Sequence, residues 1–150
     1  MNDKPYGRLA AMAGLHFAAM YVLMYAMVDR FANVFPNINQ FYMAGLMTAP
    51  MVLIEVLLMG AMYPNRTVNL AIIAISIVAL GAFWFAIRQQ TGVADIQFLR
   101  SMIPHHAGAV LMCEKAALQD GEIRRLCQTI IRGQNDEIAQ MQKKLQALER

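Results

Sequence analysis

The chain has 150 residues, of which 58% are hydrophobic and 15% are charged, and its formal net charge is +3. Such an apolar composition excludes an ordinary soluble globule, a disordered chain and a collagen-like chain. Two cysteines are too few for a disulfide-dense secreted scaffold, and a small positive charge without a run of Lys and Arg argues against nucleic acid as a partner.

The charged side chains are unevenly distributed along the chain. Only eight of the 23 precede Thr91, and the other 15 fall in the last 60 residues. We therefore predict an all-α protein with two domains. Residues 1–90 form a membrane domain, and residues 91–150 form a water-facing C-terminal helical hairpin.

Three transmembrane helices are predicted at about residues 9–28, 41–63 and 68–88. Each is close to the roughly 20 residues that a helix needs to cross a hydrocarbon core about 30 Å thick. The first is too long for the apolar part of a cleaved signal peptide, so we expect it to stay in the mature protein. The lipid bilayer is thus the first predicted partner.

Lys and Arg residues that flank the predicted spans divide almost equally between the two sides. One side has Lys4, Arg8 and Arg66, and the other has Arg30, Arg88 and Arg100. The positive-inside rule gives most weight to the first helix. It therefore favours a cytoplasmic N-terminus and an extracytoplasmic C-terminal domain.

Methionines recur every three or four residues along the first two spans. The two stripes contain Met12, Met20, Met24 and Met27, and Met43, Met47, Met51, Met59 and Met62. Counted from the loop between the spans, His16 and Glu55 lie at nearly equal depth in the predicted membrane. Because ionisable side chains are costly in a bilayer, they mark candidate functional sites. We expect the two to form a hydrogen bond or one polar step in a soft-metal ladder. The alternative is that the methionines are ordinary packing residues and the pair only joins two helices.

The C-terminal domain has the apolar periodicity of two amphipathic helices separated by a turn at Gln119-Asp120-Gly121. Two helices of about 25 residues cannot bury both apolar stripes by themselves. A second hairpin from another subunit would complete a four-helix bundle. We therefore predict a homo-oligomer, a dimer or larger.

The most specific segment of the chain is Met102-Ile-Pro-His105-His106. It is accompanied by Asp95, Phe98, Ala109 and Met112, and after the turn by Gln134, Glu137-Ile138 and Met141. Over about residues 95–148 this pattern resembles the signature of the bacterial domain of unknown function 305 family. The resemblance implies a ferritin-like helical bundle, often extracytoplasmic, with copper binding and copper tolerance in some members. Together with the three predicted spans, the resemblance to a bacterial family predicts a multi-pass protein of the bacterial inner (plasma) membrane.

The residue types in the hairpin favour copper independently of that resemblance. Folding about residue 120 places His105 and His106 level with Gln134 and Glu137, and Met102 level with Met141. Thioether sulfur is a soft ligand that prefers Cu(I), and imidazole binds Cu(I), Cu(II) and Zn(II). We therefore favour Cu(I) over Cu(II) as the cofactor. The candidate ligands are His105, His106, Met102, Met112 and Met141.

A second set of residues extends this metal-site hypothesis. Glu137 or Gln134 could accept a hydrogen bond that fixes the imidazole tautomer. Further candidate ligands are Glu137, Cys113, Cys127, His16 and Glu55. The alternative interpretation is that the methionines fill the core and that the histidines are hydrogen-bonded partners within the bundle.

Cys113 and Cys127 lie seven and six residues from the Asp120-Gly121 turn, so a hairpin brings them to similar height. An oxidising compartment would favour a disulfide, whereas the cytoplasm would leave two thiols or a soft-metal site. A third possibility is that both are small buried side chains at a close helix crossing.

An enzymatic function is not predicted. A di-iron oxidase needs Glu three residues before its histidines, whereas Ala13, Met102 and Ile103 precede His16, His105 and His106. The sequence has no phosphate-binding loop or nucleophile elbow, and no organic substrate is evident. The predicted function is a membrane-anchored protein of copper binding or copper homeostasis. The alternatives are a structural oligomerisation module of the membrane and a membrane Cu(I) conduit that uses the methionine stripes.

Overall fold

The structure is a computed structural model that describes residues 4–150. All regular secondary structure in this range is helical, which confirms the predicted all-α class. The five α-helices are α1 (Lys4–Leu23), α2 (Ile38–Leu58), α3 (Arg66–Gln89), α4 (Asp95–Lys115) and α5 (Gly121–Leu148). Short 3-10 helices cover Met24–Met27, Phe31–Asn33 and Gly60–Met62.

The helices form two compact units. The three-helix unit contains α1, α2 and α3 and comprises residues 4–24 together with Asn39–Thr91. The hairpin unit comprises Tyr25–Ile38 and Gly92–Arg150. The segment Tyr25–Ile38, which the sequence assigned to the membrane domain, thus packs with the C-terminal hairpin.

Three helical segments are long and apolar enough to cross a membrane, namely Lys4–Met27, Ile38–Leu58 and Arg66–Gln89. The second ends five residues earlier than predicted, because Gly60 begins a 3-10 turn and Pro64 restricts Tyr63 to extended backbone. The third begins at Arg66, since the Asn65 side chain caps it by accepting hydrogen bonds from the backbone N–H groups of Thr67 and Val68.

Most of the surface of the three-helix unit is apolar. Leu58, Leu15 and Val78 are 78%, 73% and 70% exposed. Packing between its helices relies on small side chains of α2, where Ala44 and Ala49 are buried. The exposed apolar side chains of this unit suit a lipid environment, because so large an apolar surface is unfavourable in water.

The hairpin unit has a core between α4 and α5. It contains the buried side chains of Leu99, Ile103, Ala107, Val110, Ile138 and Leu145. Val28 and Phe35, from the segment Tyr25–Ile38, pack against this core. Asp120 caps α5 by accepting hydrogen bonds from the backbone N–H groups of Glu122 and Ile123, at 2.8 and 2.9 Å.

Pro104 lies inside α4, which continues through it. Because proline has no N–H, the carbonyl of Arg100 receives no hydrogen bond from position 104. The buried side chain of Asn37 donates to that carbonyl at 3.4 Å instead. The loop between α1 and α2 thus supplies the donor that the proline removes from α4.

Candidate metal centre

The predicted register of the hairpin is confirmed at two levels. Near the turn, Cys113 and Cys127 form a disulfide with their Cα atoms 5.2 Å apart. About two turns further from it on α4, and about three on α5, Nδ1 of His106 lies 3.0 Å from Oε2 of Glu137. The motif histidine of α4 and the glutamate of α5 therefore face one another, as the sequence predicted.

His106 and Glu137 differ in their exposure to solvent. The side chain of His106 is 14% exposed, whereas that of Glu137 is 55% exposed. The contact between His106 and Glu137 has the distance of an ion pair but not the alignment of a hydrogen bond. Within residues 4–150, the buried Nδ1 has no hydrogen-bond partner. In a neutral ring, a proton on Nδ1 would lie next to this carboxylate, and the lone pair of Nε2 would then be available to a metal ion.

His105 is exposed at the surface of α4. Its ring centroid lies 6.0 Å from that of His106, and the ring planes are inclined by 59°. Successive residues point about 100° apart on a helix. Their rings therefore lie side by side on the helix surface, and they do not stack.

The three candidate methionines lie in different surroundings. Met102 is half-buried and precedes His105 and His106 by three and four residues, so its side chain is a neighbour of theirs on one face of α4. Met141 packs against the core of the hairpin unit. Met112 is 60% exposed and follows His105 by seven residues, or about 10 Å along the axis. Of the two alternatives for a second thioether, Met141 is therefore better placed than Met112 in a single hairpin.

Within the described range, residues 4–150, no three His, Cys, Asp or Glu side chains converge on one point. The His106–Glu137 contact therefore needs thioether sulfur to become a site of three or more donors. Cys113 and Cys127 are joined in a disulfide, so neither provides a thiolate ligand in this structure.

Glu55 makes a different contact from the one predicted. The hydroxyl of Tyr63 donates a hydrogen bond to Oε1 of Glu55 at 3.1 Å. Burial, followed by this hydrogen bond, raises the pKa of Tyr63 above its ordinary value, so the hydroxyl keeps its proton and remains the donor. No hydrogen bond or ion pair joins Glu55 to His16, both of which are described.

The absence of the predicted pairing has a physical cause. α1 ends at Leu23, five residues before the predicted end of the first span at residue 28. α2 begins at Ile38, three residues before the predicted start of the second span at residue 41. These two differences shift the relative depth of the helices by about eight residues, or about 12 Å. Leu9, rather than His16, packs in the same cluster as Val56.

Several methionines of the two predicted stripes lie at the surface of the three-helix unit. Those with exposed side chains include Met12, Met43, Met47, Met59 and Met62. Met27, which belongs to the segment Tyr25–Ile38, is exposed as well. Their exposure places thioethers toward the surroundings of the unit, where they contact lipid if the helices cross a bilayer. A Cu(I) path enclosed by one copy of the chain would need them to face inward.

Sequence reasoning missed the polar residues that hold the segment Tyr25–Ile38 on the hairpin. Asn33 Oδ1 accepts a hydrogen bond from Gln142 Nε2 at 2.8 Å, and the backbone N–H of Ile38 donates to Gln97 Oε1 at 3.0 Å. A signal was present, because Pro104 in a predicted helix leaves a carbonyl that needs a donor. The sequence does not indicate which residue supplies it.

Fold and site together define a helical hairpin with a His/Glu contact, attached to three helices that can cross a membrane. Residues 86–145 match the family described as a domain of unknown function (DUF305). The chain is 35% identical over 107 residues to the uncharacterized protein L153 of Acanthamoeba polyphaga mimivirus, across 70% of this chain and 68% of that protein. No solved structure matches. The chain belongs to the DUF305 family.

Proposed function

We propose that this protein is a membrane-anchored copper-binding protein of copper homeostasis, with its ion at the His105–His106 motif of α4. The observation that carries the proposal is the 3.0 Å contact between His106 Nδ1 and Glu137 Oε2. Metal-binding histidines commonly present one ring nitrogen to a carboxylate and the other to the ion.

The donor chemistry favours Cu(I). His106 and Met102 are four residues apart and share one face of α4, and Met141 is the candidate thioether on α5. Imidazole with thioether suits Cu(I), whereas structural zinc sites take four Cys or His ligands. His105 is exposed and offers a second imidazole, which could bind the ion as it enters or leaves the site at His106. The proposal assigns no catalytic residue.

We further propose that the three-helix unit spans the inner membrane of a bacterium and that the hairpin faces the extracytoplasmic side. Disulfides persist in oxidising compartments, and the Cys113–Cys127 bond supports this orientation. Three crossings would then put Lys4 and Arg8 in the cytoplasm, in agreement with the positive-inside rule.

Measurement of Cu(I) affinity tests the copper site. The full chain in detergent competes with a chromophoric Cu(I) chelator, and the variants are His105→Ala/His106→Ala and Met102→Leu. We expect the double variant to lose more than about tenfold in affinity and Met102→Leu to lose less. Gln140→Ala changes an exposed position of α5 and is the matched control. Unchanged Cu(I) affinity in the double histidine variant would refute the site.

Accessibility of the two cysteines tests the orientation. In intact bacterial cells, a membrane-impermeant reductant followed by a maleimide of high mass should label both Cys113 and Cys127. Labelling without reductant should be absent. If labelling instead requires cell lysis, the hairpin lies in the cytoplasm and the proposed orientation is wrong.

A further inference from the structure

A cavity of about 370 Å³ lies at one end of the three-helix unit, between the start of α1 and the end of α2. Its charged lining residues are Lys4, Arg8 and Glu55, and its apolar lining includes Leu9, Met12 and Met62. The cavity thus combines three charges with an apolar wall, which matches an amphipathic ligand better than a purely polar one.

The charges of this cavity are not paired with one another. No ion pair within 4 Å joins Glu55 to Lys4 or Arg8, all of which the structure describes. Oε1 of Glu55 accepts the hydrogen bond from Tyr63, which holds the carboxylate at the cavity wall. Two cations and one carboxylate thus face the same space with a net charge of +1.

The depth of the cavity is that of a membrane interface. Lys4 is the first residue of α1, and Glu55 lies three residues before the end of α2 at Leu58. If these helices cross a bilayer, both residues lie near the level of the lipid phosphates. Basic side chains at this level interact with phosphate groups of the surrounding leaflet.

We propose that this cavity binds the headgroup of phosphatidylethanolamine. Its phosphate pairs with Lys4 and Arg8, and its ammonium group donates to the carboxylate of Glu55 beside the Tyr63 hydrogen bond. Two cations and one carboxylate complement a phosphate and an ammonium group in charge. The apolar residues Leu9, Met12 and Met62 contact the glycerol and the first methylene groups. This lipid site does not depend on the copper site of the hairpin.

A comparison of two lipids tests the proposal. The delipidated full chain in detergent is titrated with phosphatidylethanolamine and phosphatidylcholine of identical acyl chains, and bound lipid is counted by native mass spectrometry. Choline has the same phosphate but no N–H donor. We expect phosphatidylethanolamine to bind about threefold more tightly than phosphatidylcholine. This difference in affinity is what one partly exposed hydrogen bond between charged groups contributes.

Three variants separate the parts of the site. Glu55→Gln keeps an acceptor for Tyr63 but removes the negative charge, so it should reduce the preference between the two lipids. Arg8→Gln should weaken binding of both lipids by about threefold. Arg66→Gln removes an exposed charge close in the chain to Tyr63 that does not line the cavity, so it should leave both affinities unchanged. Thermal unfolding of each variant reports whether it is folded.

Three results would overturn the proposal. They are equal affinities of the unmodified chain for the two lipids, equal losses in Arg8→Gln and Arg66→Gln, and binding of soluble phosphoethanolamine as tight as that of the lipid. The last result would identify a solute site instead. Cu(I) affinity measured on the same preparations distinguishes failure of this site from failure of the copper site.

Discussion

At the scale of single residues, the contact between His106 and Glu137 makes the copper hypothesis specific. Glu137 does not have to bind the ion, because a carboxylate next to Nδ1 acts by orienting the ring and fixing its tautomer. Its effect on metal affinity should therefore be smaller than that of the imidazole itself. The side chain is 55% exposed, so solvent screens its charge.

Replacement of Glu137 by Gln should lower the Cu(I) affinity by about tenfold, the lower end of the range for residues that orient a metal ligand. The measurement is chelator competition on the full chain. Asp136→Asn is the matched control, since it removes the same charge from the adjacent exposed position. Equal losses in both variants would show a general effect of charge and contradict an orienting role for Glu137.

Two pairs of residues show what could be predicted at this scale. His106 and Glu137 were predicted to face one another because a short turn at Asp120-Gly121 fixes the register of a hairpin. His16 and Glu55 were predicted to pair and do not. Their depth had to be counted across a longer connection, whose ends the hydropathy pattern locates only to within several residues.

At the scale of elements, Tyr25–Ile38 acts as a third component of the hairpin unit. Its side chains Val28 and Phe35 cover part of the core, and Asn37 fills the gap in the hydrogen bonding of α4 at Pro104. The amphipathic period predicted α4 and α5. It could not predict this segment, because the segment has no period and its polar contacts with the hairpin join residues 59 to 109 positions apart.

Replacement of Asn37 by Ala should destabilise the hairpin unit by about 1–3 kcal/mol, since it removes the buried side chain that donates to the Arg100 carbonyl. Thermal unfolding of the full chain, followed by circular dichroism, measures the loss.

Pro104→Ala provides the control for this prediction. This substitution restores a backbone N–H at position 104 that can bond to the Arg100 carbonyl, so Asn37→Ala should cost less in that background than in the native one. Asn37 also donates to the carbonyl of Phe35 at 2.9 Å, so part of the loss should remain. An identical loss in both backgrounds would show that the contact with Arg100 does not contribute.

At the scale of the whole molecule, the segment Tyr25–Ile38 reduces the apolar surface that a second subunit would have to cover. An exposed apolar patch nevertheless remains near the hairpin turn. It consists of Met112, Ile123 and Leu126, which are 60%, 48% and 58% exposed. Contact with a second copy at this patch would bury it, so we retain the prediction of a homo-oligomer.

Light scattering of the full chain in detergent should give a protein mass at least twice the 16.8 kDa of one chain. Leu126→Glu places a charge in the patch and should shift the distribution toward the monomer. Gln128→Glu adds the same charge at an exposed polar position two residues away and should not. A monomeric native chain would contradict the prediction, as would equal effects of the two variants.

The docking of Tyr25–Ile38 on the hairpin also has a consequence for biosynthesis. Asn33 leaves the ribosome 109 residues before its partner Gln142, and synthesis proceeds at about 5–20 residues per second. The core that Val28 and Phe35 pack against therefore forms several seconds or longer after their synthesis, because α2, α3, α4 and α5 must first be made. The segment can therefore make its contacts with the hairpin only after α5 has been synthesised.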